Sequence, residues 1–220
     1  MMDRLKNIDN AINIMLSEME TGWTNPDTLP LKQRLMRSLI NVRQPDKPSQ
    51  DLIDAQDKEL AAQREEKGVV EIRQEGIHLW QGDITRLKVD AIVNAANSRL
   101  LGCFKPLHAC IDNVIHSAAG IQLRCYCNEI MQAQGHKEAT GQAKITPGFN
   151  LPARYVIHTV GPIIPNGKPT KEQEELLASC YRSSLKLAED YSLESIAFCC
   201  ISTGAFRFPQ ELAAKIAVKT

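Results

Sequence analysis

Leu5, Ile8, Ile12, Leu16 and Met19 recur every three or four positions, which places one apolar stripe along a helix and predicts an amphipathic helix with a face to bury. Leu31, Leu35, Leu39 and Val42 carry the same period after Pro30 and predict a second helix. Ser49, after Pro48, is placed to cap a third, and Gly68 is placed to stop it. Residues 1–68 therefore read as a helical extension.

At Val69 the period changes. Val69-Val70-Glu71-Ile72 and Ile77-His78-Leu79-Trp80 have the composition of two short strands joined by a turn containing Gly76. Ala91-Ile92-Val93 and Tyr155-Val156-Ile157 are further strand candidates, and 110–124 has helical spacing through Ile111, Val114, Ile115 and Ala118. Leu176, Leu177, Cys180, Tyr181, Leu185 and Ala188 mark a long helix, followed by an apolar strand over 196–201 and a last helical stretch from Gln210. Strands alternating with helices over 69–220 predict a layered α/β domain.

Composition narrows the class. The 220 residues carry 26 Lys plus Arg against 26 Asp plus Glu, so no net field attracts nucleic acid or an anionic membrane. No stretch approaches the roughly 20 apolar residues of a membrane span, and the charged residues of 1–20 are unlike a signal peptide, so the expected location is the cytoplasm. Seven cysteines, at 103, 110, 125, 127, 180, 199 and 200, do not make a disulfide framework; they read as core residues or metal ligands.

In α/β sheets ligands sit beyond the carboxyl ends of strands. Gly82-Asp83-Ile84-Thr85 follows the apolar run at Trp80, Asn94-Ala95-Ala96-Asn97 follows Val93, and Ser202-Thr203-Gly204-Ala205-Phe206 follows Ile201. The last combines hydroxyls with a glycine and leads towards a helix start, a composition suited to phosphate. Taken singly, Asp83 reads equally well as a turn cap and Asn97 as a loop residue.

Taken together and in this order, these segments resemble the macrodomain family of ADP-ribose-binding proteins. The resemblance runs on through Val89-Asp90-Ala91-Ile92-Val93, Ile111-Asp112-Asn113-Val114-Ile115-His116, Ala118-Ala119-Gly120 and Ile157-His158-Thr159-Val160-Gly161-Pro162. It implies a three-layer α/β/α fold with a mixed central sheet from Val69 onward. It also implies that Asp83 accepts from the adenine amino group beside Ile84, that Asn97 and Asp112 face the distal ribose, and that the diphosphate lies between the backbone of Ile111, Asp112 and Asn113 and that of Ser202 to Phe206. His116 and His158 read as packing residues. Relatives of this type continue with another strand and helix, so a chain stopping at Thr220 is expected to lack the end of the domain; Arg207 stands where a small residue is usual.

The segment Gly102-Cys103-Phe104-Lys105-Pro106-Leu107-His108-Ala109-Cys110 narrows the resemblance to zinc-dependent macrodomains known from microbes. His108 and Cys110 are too close to share a helix face and Pro106 blocks a helix, so these side chains can converge only from a folded loop. Two thiolates and a neutral imidazole suit one zinc and leave a fourth position open, as catalytic sites do. On spacing alone, two buried thiols and a surface histidine read equally well; the resemblance selects zinc. Cys125 and Cys127, on one predicted helix, and Cys180, Cys199 and Cys200, in apolar patterns, read as core.

The resemblance then implies an ADP-ribosyl hydrolase acting at C1″ of the distal ribose of a mono-ADP-ribosylated protein, with Asp112 orienting or deprotonating water, Asn97 fixing the sugar hydroxyls and Phe206 walling the ribose. A non-catalytic ADP-ribose reader and a phosphatase of an ADP-ribose phosphate are the competing readings. The extension carries none of the motifs and is expected to brace the sheet or the rim.

Overall fold

The structure, a computed structural model, describes residues 2–73 and 75–220. Three helices open the chain: α1 (Met2–Glu18), α2 (Leu29–Val42) and α3 (Gln50–Lys67). They bury a common core of Ile8, Ile12 and Met15 from α1, Met36, Leu39 and Ile40 from α2, and Leu52 and Leu60 from α3, into which Ile121 of the following domain also packs. The buried face of α2 is rotated from the predicted stripe: Leu31 is exposed, because Met36 and Ile40 occupy the contact instead. Ser49 caps α3 by accepting from the Leu52 N–H at 3.3 Å, and Gly68 ends it with φ of 73°. Glu59 is fully buried yet paired, receiving Arg4 at 2.9 and 3.0 Å.

A four-stranded sheet follows, built of β1 (Ala91–Ala95), β2 (Ala143–Pro147), β3 (Tyr155–Thr159) and β4 (Ile196–Ala197) in the order β2-β3-β1-β4. β1 runs parallel to β3 and β4, whereas β2 is antiparallel to β3, so the sheet is mixed. Alternation sorts its side chains. Ile92 and Val156 face α4 (Ile111–Ala119) and α5 (Ile121–Gln134), packing on Ile115 and Leu123. Ala91, Val93 and Ile157 face α6 (Lys171–Asp190) and α7 (Gln210–Lys219), packing on Leu177, Tyr181 and Ala213. The expected three layers and mixed sheet are present, with the helices ahead of them. Among the described residues no helix is long and apolar enough to cross a membrane.

Three sequence expectations are corrected, and one strand has no counterpart among them. Residues 69–72 and 77–80 do not form a hairpin: Val70 alone makes a bridge, to Leu87, and Ile77 and Leu79 are 101% and 103% exposed. Two alternating apolar residues with no neighbouring strand and no covering layer gain nothing by becoming extended and paired. The apolar run 196–201 pairs only over Ile196–Ala197, after which the chain leaves the sheet; Cys200 is exposed and Cys199 half-buried, although Cys127 and Cys180 lie in the core as expected. The helical stretch at 110–124 is two helices, broken at Gly120 with φ of 94°. There Gln56 of α3 accepts the Ile121 N–H at 2.9 Å, and a Cβ on Gly120 would stand 2.6 Å from Gln56 Nε2. Finally, β2 had no predicted counterpart: its burial pattern carries one fully buried position among partly buried ones, too weak a period to read.

Candidate functional site

Parallel strands β1 and β3 deliver their carboxyl ends to one edge of the sheet, and the helix head that follows β1 closes over it. Asn94, in register with His158 on β3, points to the α4 side. Its Nδ2 donates to Asp112 Oδ1 at 2.8 Å and to His158 Nδ1 at 3.2 Å. Asn97, just past the strand, donates to Asp112 Oδ2 at 3.1 Å and to the Gly102 carbonyl at 3.0 Å. Asp112 in the first turn of α4 is thus a buried carboxylate held by two amides. Burial raises its pKa above the ordinary value, more than the amides from Asn94 and Asn97 and the Arg124 charge lower it.

Two buried imidazoles lie behind it. Burial holds His158 at about 3, so it is neutral; with Nδ1 accepting from Asn94, its proton sits on Nε2, 3.0 Å from Thr146 Oγ1. His116 is likewise pushed well below its usual value by burial, and neither of its nitrogens has a hydrogen-bond partner among the described residues. Its Nε2 stands 3.6 Å from Asp112 Oδ1, too long for a hydrogen bond, and a neutral ring makes no ion pair there. His116, Cys127 and His158 do bring donor atoms within 4.8 Å of one another, but His158 already uses both nitrogens, so this group reads as packed core.

The loop ahead of α4 gathers the predicted ligands. Gly102, with φ of 75°, lets the backbone approach the His116 ring: a Cβ would stand 2.8 Å from it. Beyond it, Cys103 Sγ lies 3.6 Å from His108 Nδ1, and these atoms and Cys110 Sγ are all within 4.8 Å of one another, each residue half-buried. Two sulfurs and an imidazole nitrogen this close fit a thiophilic divalent cation. Burial first, and then the adjacent Cys103, push the Cys110 thiol up to about 11, a crowding that a cation between the sulfurs would relieve. Cys110 is also the cap of α4, its Sγ accepting from the Asn113 N–H at 3.4 Å.

Asn113, whose backbone the resemblance sets beside the diphosphate, turns its side chain to the loop. Its side chain is fully buried and stitches the loop, donating to the Cys103 and Lys105 carbonyls at 3.2 and 3.0 Å. Ile111 is half-buried beside it.

Asp83 caps a 3-10 turn, Ile84–Arg86, accepting from the Thr85 N–H at 3.0 Å and the Thr85 hydroxyl at 2.6 Å, both on Oδ1. Oδ2 is left with Lys67 of α3 at 3.8 Å. The Ile84 side chain belongs to the core, leaving its backbone at the surface turn. Two clefts run between the extension and the domain and share Leu60, Gln63, Lys67 and Ala118; one of them reaches Thr85, next to Asp83.

In the 202–206 loop, Ser202 has φ of 63° and is buried against Gly161, where a Cβ would stand 2.0 Å from Ser202 Oγ. Thr203 turns back on the Cys200 carbonyl at 2.9 Å through its hydroxyl, and the Phe206 carbonyl accepts from the Ile164 N–H at 2.7 Å. The N–H groups of Gly204, Ala205 and Phe206 make no hydrogen bond among the described residues, which leaves three successive donors in this turn. α7 begins at Gln210, after Pro209, where the sequence reading put the last helix, so these N–H groups lie in the turn ahead of it and not in its first turn. The Arg207 guanidinium donates to the Pro165 carbonyl at 3.3 Å. Sequence reasoning singled out neither Asn94 as a partner of Asp112 nor the α2 residues that reach the metal loop; the spacing of Asn94 and Asn97 was the one available signal for the first.

The Macro domain model matches residues 93–217. The chain is 53% identical over 208 residues to a protein-ADP-ribose hydrolase of Treponema medium, covering 90% of this chain and 79% of that one. It is 49% identical over 217 residues to a protein of the same name from Staphylococcus aureus (strain MSSA476), covering 96% and 78%. Among solved structures, an Oceanobacillus iheyensis macrodomain with ADP is 45% identical with a TM-score of 0.56, over 63% of this chain and 70% of that one. A Trypanosoma brucei macrodomain in complex with ADP is 33% identical with a TM-score of 0.61, over 85% and 82%.

Proposed function

Because the chain belongs to the Macro domain family, we propose that it is a zinc-dependent hydrolase that removes mono-ADP-ribose from modified protein side chains by cleavage at C1″ of the distal ribose. The observation that carries this reading is the junction of two features on one short segment: the Cys103, His108 and Cys110 donors end at the cap of α4, and the buried Asp112 lies in the first turn of that helix. The names of the bacterial relatives support the substrate class.

In this reading Asp83 receives the adenine amino group on its second oxygen, and the free N–H groups of Gly204, Ala205 and Phe206, with Ser202 and Thr203 shaping the turn, take the diphosphate. Asn97, half-exposed between Asp112 and the outside, orders the distal sugar hydroxyls, and Phe206 walls the ribose. Cys103, His108 and Cys110 would hold zinc, which when bound supplies Lewis acidity beside the reacting sugar. Asp112 orients the attacking water and takes its proton; a carboxylate raised by burial is a better base near neutral pH than an exposed one. The seven free cysteines suit the reducing cytoplasm, and no nucleic acid or membrane is required.

Release of ADP-ribose from a mono-ADP-ribosylated protein tests the reading. Asp112→Ala is expected to lower it by about 10²-fold or more while binding suffers less, and chelation is expected to stop turnover until zinc is restored. A zinc-loaded protein that binds ADP-ribose but releases none from acidic, serine or arginine side chains is a reader, and the hydrolase reading falls.

A further inference from the structure

Two side chains of α2 reach out of the helical extension into the metal loop. Arg37 and Asn41 are four residues apart and share one face of the helix. Asn41, fully buried, accepts the Leu107 N–H on Oδ1 at 3.0 Å and donates to Ser117 Oγ at 2.8 Å. Arg37 Nη2 donates to the His108 carbonyl and to Asn113 Oδ1, each at 2.9 Å. Asn113 is the residue that grips the Cys103 and Lys105 carbonyls, so the two α2 side chains and Asn113 together fix the loop at 103, 105, 107 and 108.

The loop needs that grip. Leu107 has φ of 56°, in the left-handed region that a branched side chain resists. Asn41 accepts from the N–H of this strained residue, and Arg37 donates to the carbonyl of the next one, His108, whose imidazole belongs to the metal group. We propose that Arg37 and Asn41 are positioning residues for the metal, setting the separation of Cys103 Sγ, His108 Nδ1 and Cys110 Sγ before an ion arrives. The inference rests on the zinc reading of those three residues. It gives the extension a part in the chemistry through the loop: the hydrogen bonds of Arg37 and Asn41 there go to the His108 carbonyl, Asn113 Oδ1 and the Leu107 N–H, and not to the sulfur or imidazole donor atoms.

The test uses the full chain with zinc as the probe, measuring affinity by competition with a chromogenic chelator alongside circular dichroism and thermal melting. Arg37→Ala and Asn41→Leu are each expected to weaken zinc about 10- to 100-fold, the usual effect of removing an outer partner of a metal ligand, at temperatures where the fold is intact. Asn41→Asp, which keeps an acceptor for the Leu107 N–H, is expected to recover most of that loss. Arg37→Lys, which keeps the charge without the planar fork, is expected to fall in between and carries the test should Asn41→Leu unfold. If the variants melt earlier but bind zinc as the wild type does, or if Asn41→Asp is no better than Asn41→Leu, the positioning role is overturned and the zinc reading stands. If the wild type itself takes up no zinc, the zinc reading fails first.

Discussion

Asn94 on β1 joins Asp112 at the head of α4 to His158 on β3, with one amide nitrogen 2.8 Å from the carboxylate and 3.2 Å from the imidazole. The nitrogen carries two hydrogens and gives one to each, so the carboxylate at the candidate ribose site is aligned by the sheet and not by its own helix. Asn94→Ala is expected to leave Asp112 short of a partner in a buried place, lowering unfolding free energy by about 1–3 kcal/mol and turnover more than ADP-ribose affinity. Urea unfolding and steady-state kinetics check this; wild-type stability together with wild-type turnover would remove Asn94 from the site.

Asp83 serves the turn with one oxygen and is proposed to serve adenine with the other. Asp83→Ala is expected to weaken ADP-ribose by roughly 1–3 kcal/mol and to lose a cap worth about 1 kcal/mol of stability. Asp83→Asn keeps the cap on Oδ1 but presents an amide to the adenine amino group, so it should weaken binding with little change in melting temperature. Calorimetry showing unchanged affinity in both variants sinks the adenine assignment.

Metal analysis of the purified protein is expected to find about one zinc per chain, bound through Cys103, His108 and Cys110. Because the Cys110 sulfur also caps α4, Cys103→Ala separates the two roles: zinc is lost while the α4 cap remains. Full zinc occupancy in a Cys103→Ala plus Cys110→Ala variant would refute the site.

The buried His158 predicts a pH dependence with a definite sign. Its folded pKa of about 3 lies below the ordinary histidine value of 6.5, so the unfolded chain binds a proton that the folded one cannot. The stability it contributes is complete above that ordinary value and falls as pH drops towards the folded one, with a slope of up to about 1.4 kcal/mol per pH unit. His158→Gln should flatten the acid limb of stability against pH measured by urea unfolding; identical limbs in variant and wild type would show that the burial of this ring is not what titrates.

The helices of the extension were legible because a period of three to four residues with a serine cap and a glycine stop is a local signal, and α3 begins and ends where those residues stand. The inner strand β1 was legible as an apolar run for the same reason. Ile77 and Leu79 misled because alternation records what a strand would bury and not whether a neighbour exists to bury it. At the site, the loop after β1 could be read from residue type and position, whereas spacing alone left Cys103, His108 and Cys110 open between buried thiols and a metal group, and only the folded loop brings their donor atoms within 4.8 Å of one another. The positions of Arg37 and Asn41 could not be read: they meet the loop across 71 and 66 residues of chain, and only packing of α2 on α4 brings them there. The part that the Asn113 side chain plays was hidden for a related reason, since an asparagine at a helix start looks alike whether its amide faces a ligand or the loop behind it.

Gln56 supplies from α3 the acceptor for the first N–H of α5, a bond spanning 65 residues. During synthesis the extension leaves the ribosome before that helix exists, so α5 can be met on emergence by a surface already made. A chain refolding from denaturant has to close the same long loop from a random start, with the entropy that entails. The native contact is one and the same, but the growing chain and the refolding chain reach it in a different order.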